Sequence, residues 1–133
     1  MSLFEAVAQK NVAKVKKCLD EGGDINEHND VGTSPLFLAA LQGDIAISRL
    51  FIEETAGADI DIRSADRHGE TPLYIASRYG RVEVVRMFIE NGALIDKAHT
   101  DNGWTPLHAA SKEGHVEVVR VLLAIGHEVK EAI

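Results

Sequence analysis

Apolar residues recur along this chain in short helical sets, and the sets come in pairs. Val116, Val119, Leu122 and Leu123 fall at the three-to-four-residue spacing that lines one face of a helix, with Glu117 and Arg120 between them. Val82, Val84, Val85, Phe88 and Ile89 draw a similar stripe further up the chain. So do Ile45, Ile47, Leu50, Phe51 and Ile52, and near the start Val12, Val15, Cys18 and Leu19. A shorter apolar run precedes each stripe: Leu107 with Ala109 and Ala110, Leu73 with Ile75 and Ala76, Leu36 with Leu38 to Ala40, and Leu3 with Ala6 and Val7. The pattern predicts pairs of helices. One such pair cannot bury its own apolar side, so copies must stack.

The punctuation between the sets is equally regular. Thr105 is a helix N-cap, and Pro106 takes the first helical position, where its missing N–H loses nothing. Gly114 is the residue type that ends a helix in the left-handed conformation. Thr71-Pro72 with Gly80 repeats this arrangement, and Ser34-Pro35 with Gly43 repeats it again. The period is 34 residues from Thr71 to Thr105 and 37 from Ser34 to Thr71.

Three copies, Ser34-Pro35-Leu36-Phe37-Leu38-Ala39-Ala40, Thr71-Pro72-Leu73-Tyr74-Ile75-Ala76-Ser77 and Gly103-Trp104-Thr105-Pro106-Leu107-His108-Ala109-Ala110, carry a resemblance to the ankyrin repeat family. The unit of that family is a β-turn finger plus two antiparallel helices, with a T-P-L-H-x-A signature. The resemblance implies an all-α solenoid of about four helix-turn-helix units with β-turn fingers, a single domain over residues 1–133. The units run approximately over 1–28, 29–65, 66–99 and 100–133. The first unit lacks the T-P-L triplet, and its polar residues Glu5, Gln9, Lys10, Lys14, Lys16 and Lys17 suit a terminal repeat on which nothing stacks. Lys10 stands where the family has its helix-ending glycine, and Asn11 is expected to take the left-handed turn in its place. Gly22-Gly23-Asp24-Ile25-Asn26 matches the stretch leading into the next finger.

Three places break the period. The span from Gly43 to Gly57 is two residues longer than that from Gly80 to Gly92, which predicts an extended or distorted helix end near Glu53-Glu54-Thr55. A bulge is expected around Ile62-Arg63-Ser64-Ala65, and one extra residue near Lys97-Ala98-His99. Insertions in repeats fall in loops, where added length is tolerated with or without a function. The last unit ends at about Gly126 by this reading, and its second helix keeps an ordinary interior pattern, with no polar cap. Either the chain is a truncated piece, or its end stacks against another copy in weak self-association.

Composition narrows the function. A formal charge of −7 argues against nucleic acid or an anionic membrane as the main partner. One cysteine makes no internal disulfide and fits a reducing compartment, cytoplasmic or nuclear. Cys18, on an apolar face, reads as a buried structural thiol. The six histidines show no metal-binding spacing, and no phosphate loop or nucleophile elbow is present. Asp59, Asp61 and Glu70 fall at positions 1, 3 and 12 of a calcium-loop template, but Arg63 and Ser64 occupy positions that the template gives to an oxygen ligand and a glycine. His108 is the histidine of the family signature, where it bonds backbone and fixes the finger. No catalysis, cofactor or metal is expected.

What remains is surface. In ankyrin repeats the finger tips and the ends of the first helices line a concave face that binds other proteins. Carried over to this sequence, the tips are Asp30, Val31 and Thr33, then Arg67, His68 and Glu70, then Asp101, Asn102 and Trp104. The helix ends are Leu41 and Gln42, Arg78 and Tyr79, and Lys112 and Glu113. Val31, Leu41, Tyr79 and Trp104 give this stripe an apolar and aromatic character. Trp104 is an interface anchor, or else it packs flat on a neighbouring finger; Leu41 has the alternative of packing under the preceding repeat. The resemblance therefore implies a protein-binding module of unidentified partner, with a docking or spacing segment of a larger enzyme or receptor as the alternative.

Overall fold

A computed structural model of the chain describes residues 2–54, 57–64, 68–99 and 102–132, with side chains described as far as Ile125. Four helix pairs stand in sequence order among these residues. They are α1 (Leu3–Ala8) with α2 (Val12–Asp20), α3 (Pro35–Gln42) with α4 (Ile45–Arg49), α5 (Pro72–Arg78) with α6 (Val82–Glu90), and α7 (Pro106–Glu113) with α8 (Val116–Ala132). The first helices stack in the order α1, α3, α5, α7, and the second helices in the order α2, α4, α6, α8. No strand occurs among the described residues, so the architecture is the all-α solenoid that the periodicity predicts.

Each first helix begins where an oxygen is available to its orphan N–H groups. Ser34 Oγ accepts from the Phe37 N–H and Thr71 Oγ1 from the Tyr74 N–H, both at 3.1 Å. Thr105 and His108 close a reciprocal box, the histidine Nδ1 accepting from the Thr105 N–H at 3.0 Å. Gly43, Gly80 and Gly114 all turn the chain with positive φ, of 70°, 71° and 76°. In the first repeat Lys10 makes this turn itself, with φ of 56°, and Asn11 does not. Asn11 is needed elsewhere: its Oδ1 accepts from the Lys14 N–H and caps α2.

The core runs unbroken from Leu3 to Leu122. Ile47, Val84 and Val118 are buried in equivalent register, as are Phe51, Phe88 and Leu122. Full burial of each such side chain is worth about 1.5–3 kcal/mol. The longer span of the second repeat shows a distorted helix end, as expected: α4 gives way to a π-helical turn over Leu50–Glu54. That wider turn keeps Leu50 and Phe51 in the core. Thr55, Ala56 and Ala65 lie outside the described residues. Gly126 does not end the last helix, because the backbone of α8 continues through it to Ala132.

Side chains also tie each repeat to the next. Arg81 Nε donates to the Leu41 carbonyl at 3.0 Å, and His115 Nε2 lies 2.9 Å from the Arg78 carbonyl, so that nitrogen carries the proton. Both residues follow the turning glycine, and each satisfies a carbonyl at the end of the preceding repeat's first helix. On the finger side, Asn26 bridges to Gly57 and Asp59, Ser64 donates to the Gly32 carbonyl, and Lys97 donates to the Asp61 carbonyl. The stretch 97–99 is thus bonded into its neighbours: Arg63 also reaches the Ala98 carbonyl, and the His99 N–H donates to Trp104.

Candidate functional site

Two first helices and the two fingers before them line the most chemically varied concavity described, of about 280 Å³. Glu70, Tyr74 and Arg78 come from one repeat. His99, Asn102 and Trp104 come from the following finger, and Lys112 and Glu113 from the end of α7. The helix caps fix this set. The turn before Thr71 sets Glu70, the one before Thr105 sets Trp104, and both α5 and α7 end on the same surface.

Glu70 is buried, with the Arg78 guanidinium 3.8 Å from its carboxylate. Arg78 is exposed and lies 5.5 Å from the centre of the Tyr79 ring. Lys112 Nζ stands 5.1 Å over the Trp104 ring, which is tilted against His108. Both cations are therefore held against aromatic faces. Tyr74 is buried, and Asn102 lines the cavity with it. Burial pushes its pKa up, the Glu70 charge adds to this, and Arg78 and the Asn102 side chain oppose it. His99 packs between Tyr74 and His68, at 5.5 Å from each ring.

The structure thus brings together Glu70, Arg78, Asn102, Trp104 and Lys112 of the residues expected on the concave face, with Tyr79 beside them. Val31 and Tyr79 are 52 % and 45 % exposed, large apolar groups open to solvent. His68 is exposed and holds its turn at φ of 56°. Arg67 and Asp101 lie outside the described residues. Two residues depart from the expectation of exposed finger tips: Thr33 and Glu70 are only 4 % and 6 % exposed. The slot they occupy lies where the following finger packs, shown by Ser64 bonding to the Gly32 carbonyl. Trp104, in the same slot of the last described finger, is half-buried. Leu41 is also half-buried and packs on the core. Cys18 is half-buried rather than buried, beside Lys14, Lys17 and Glu21.

Tyr74 and His99 were not legible as members of this site. Tyr74 stands at the signature-histidine position, and its longer ring reaches the next finger instead of its own cap. The carboxylates of the calcium template do not converge: Asp59 caps the Asp61 N–H, Asp61 accepts from the Leu94 N–H, and Glu70 faces Arg78. Among the described residues, no group of three His, Cys, Asp or Glu is placed to hold a metal ion. No helix there is long and apolar enough to cross a membrane.

Comparison with family models decides the kinship. Residues 3–101 match the model described as ankyrin repeats (3 copies), and residues 102–131 match the single ankyrin repeat. The chain belongs to the ankyrin repeat family. No curated protein matches it. Ankyrin repeats are in general protein–protein interaction modules, and this ankyrin array presents Tyr79, Arg78, Trp104 and Lys112 on the surface where first helices and fingers meet.

Proposed function

We propose that this ankyrin array is a non-catalytic module that docks a partner protein along the face carrying Val31, Tyr79, Arg78, Trp104 and Lys112. One observation carries the reading. One concavity is lined by the half-buried Trp104 with Lys112 over its ring and by Arg78, which lies against the exposed ring of Tyr79. Aromatic rings offer large contact areas with few rotamers to freeze, and Tyr, Trp and Arg dominate interface energies. Capture from a lysate with wild type, Tyr79→Ala and Trp104→Ala as parallel baits tests it. A partner retained by wild type and lost from both variants is expected; retention of the same partner by both variants refutes the assignment of this face.

A second reading has its own observation. Val116 and Leu123 are 57 % and 54 % exposed, whereas the equivalent Ile45, Val82, Ile52 and Ile89 are half-buried. This end of the array stacks on another copy of itself in that reading, with partner docking left to the concave face.

A further inference from the structure

The two ends of the array are built differently, and the difference decides how copies can meet. At the fourth repeat, the registers that earlier repeats close with their successor stand open. Leu36 and Leu73 are buried where Leu107 is half-buried, Ala40 and Ser77 are buried where Ser111 is exposed, and Val116 and Leu123 are exposed on α8. The polar contacts of the junctions follow the same rule. Gln42, Arg81 and His115 reach back to the carbonyls of Ala8, Leu41 and Arg78, one register of the first helix, in which Lys112 comes next. A Cβ on Gly43 would meet Arg81 at 2.8 Å and one on Gly80 would meet His115 at 2.6 Å, whereas one on Gly114 meets no described atom within 4 Å. The backbone of α8 stays helical through Gly126 to Ala132, instead of turning into a further finger as the chain does after Gly22 and Gly92.

The opposite end is closed to stacking. The registers that face the preceding repeat hold Ile47 and Leu50, then Val84 and Met87, all buried. In the first repeat they hold Lys14 and Lys17, both exposed. Laying that end on Val116, Val119 and Leu123 would take two ammonium groups out of water against apolar side chains, a costly exchange. The end face of the fourth repeat carries no such block. The charges beside it on α8, Glu117 and Arg120, pair at 3.0 Å, so two copies of this face meet without net repulsion.

We propose that the array forms a closed two-fold dimer, in which Val116, Val119 and Leu123 of the fourth repeat pack against the same face of a second copy. The proposal rests on the reading that this end stacks on another copy, and it specifies which surface of that copy takes part. A head-to-tail stack leaves an open end after every addition and grows into a filament. The two-fold pairing uses both open faces at once, turns the lysine-bearing first repeats outward, and stops at two chains.

Sedimentation velocity over a concentration series reads the stoichiometry, and spin labels read the geometry. A monomer–dimer equilibrium with no larger species is expected. Each contact occurs twice in a two-fold interface, so Leu123→Ala should weaken dimerisation about tenfold per copy and about a hundredfold in all. Val116→Ala should act in the same direction. For the geometry, Ala124→Cys and Ala13→Cys, exposed positions in the last and first repeats, are each made in a Cys18→Ala chain and labelled. Dipolar coupling is expected between two copies labelled at position 124, and none between two copies labelled at position 13. Growth beyond the dimer, or coupling between a copy labelled at position 13 and one labelled at position 124, overturns the two-fold pairing and leaves stacking through this end standing. A monomer at every concentration, or an association that Leu123→Ala and Val116→Ala both leave unchanged, overturns the two together.

Discussion

Gly80 is the position where two constraints meet, and its substitution gives a quantitative test of how the repeats are joined. Its φ is 71°, a region that an L side chain enters at about 1–2 kcal/mol. A Cβ there would lie 2.6 Å from Nδ1 and 2.8 Å from Cε1 of His115. The imidazole must move, and its bond to the Arg78 carbonyl moves with it. That bond satisfies the end of α5 from the next repeat and is worth about 1 kcal/mol. Gly114 makes the same turn at φ of 76°, but among the described residues no atom lies within 4 Å of its would-be Cβ. Gly114→Ala should therefore cost about 1–2 kcal/mol and Gly80→Ala about 2–3 kcal/mol.

Urea denaturation of the two variants, analysed with a common slope, measures the difference. A double-mutant cycle isolates its cause. In a His115→Ala background the steric term vanishes, and Gly80→Ala should fall to the cost of Gly114→Ala, a coupling of about 1 kcal/mol. Equal costs for the two glycines in the otherwise wild-type chain, or a cycle without coupling, would refute the account of His115 as an inter-repeat cap.

The remaining predictions concern the site and the end of the array. Trp104→Ala should cost under about 1 kcal/mol in folding, since its ring is only half-buried, while weakening the natural partner by about 2 kcal/mol or more, with Tyr79→Ala next; denaturant melts and titrations on the same proteins separate the two effects. Tyr74 has its folded pKa raised above 10, so the stability it confers is complete below that pH and is lost as pH climbs through the folded value; Tyr74→Phe should flatten the loss of stability on the alkaline side, measured by melts across that range. Leu123→Glu, at an exposed position, should abolish concentration-dependent association in sedimentation velocity, and a wild type that stays monomeric at every concentration refutes stacking through this end.

Positions whose requirement is local were legible from the residues alone. A left-handed turn wants glycine and an N-cap wants a hydroxyl, so Gly43, Gly80, Gly114, Ser34, Thr71 and Thr105 announced their places. The same logic explains Lys10. Because Asn11 has to cap α2, the left-handed residue is the one before it, in register with Gly43, Gly80 and Gly114, whatever side chain it bears. Positions whose surroundings come from the next repeat were not legible. Glu70 is polar and adjoins a glycine, which reads as a tip, but the following finger packs over its slot. Tyr74 and Asn102 line one cavity only because that finger packs beside α5, a placement that spacing within one unit does not encode.

Exposure in a stacked array is therefore a property of the neighbour as much as of the residue. Three registers show it. Ile45 and Val82 are half-buried where Val116 is exposed, Ile52 and Ile89 are half-buried where Leu123 is exposed, and Thr33 and Glu70 are buried where Trp104 is half-buried. In each case the change comes at the fourth repeat. The residue types do not change to suit water: the first repeat has the half-buried Val12 and Leu19 in the registers of Val116 and Leu123, and adds the exposed Lys14, Lys16 and Lys17 at other positions of α2. A solvated terminal face is made of such polar residues. The fourth repeat thus keeps the composition of a covered one, with two different faces open. Val116 and Leu123 belong to the stacking registers, the ones on which the proposed association of copies depends. Trp104 also borders a cavity whose other wall, at Glu70 and Tyr74, is already built by the third repeat. The proposed stacking of copies and the proposed docking of a partner therefore use separate surfaces, and Leu123→Glu and Trp104→Ala are expected to abolish one each.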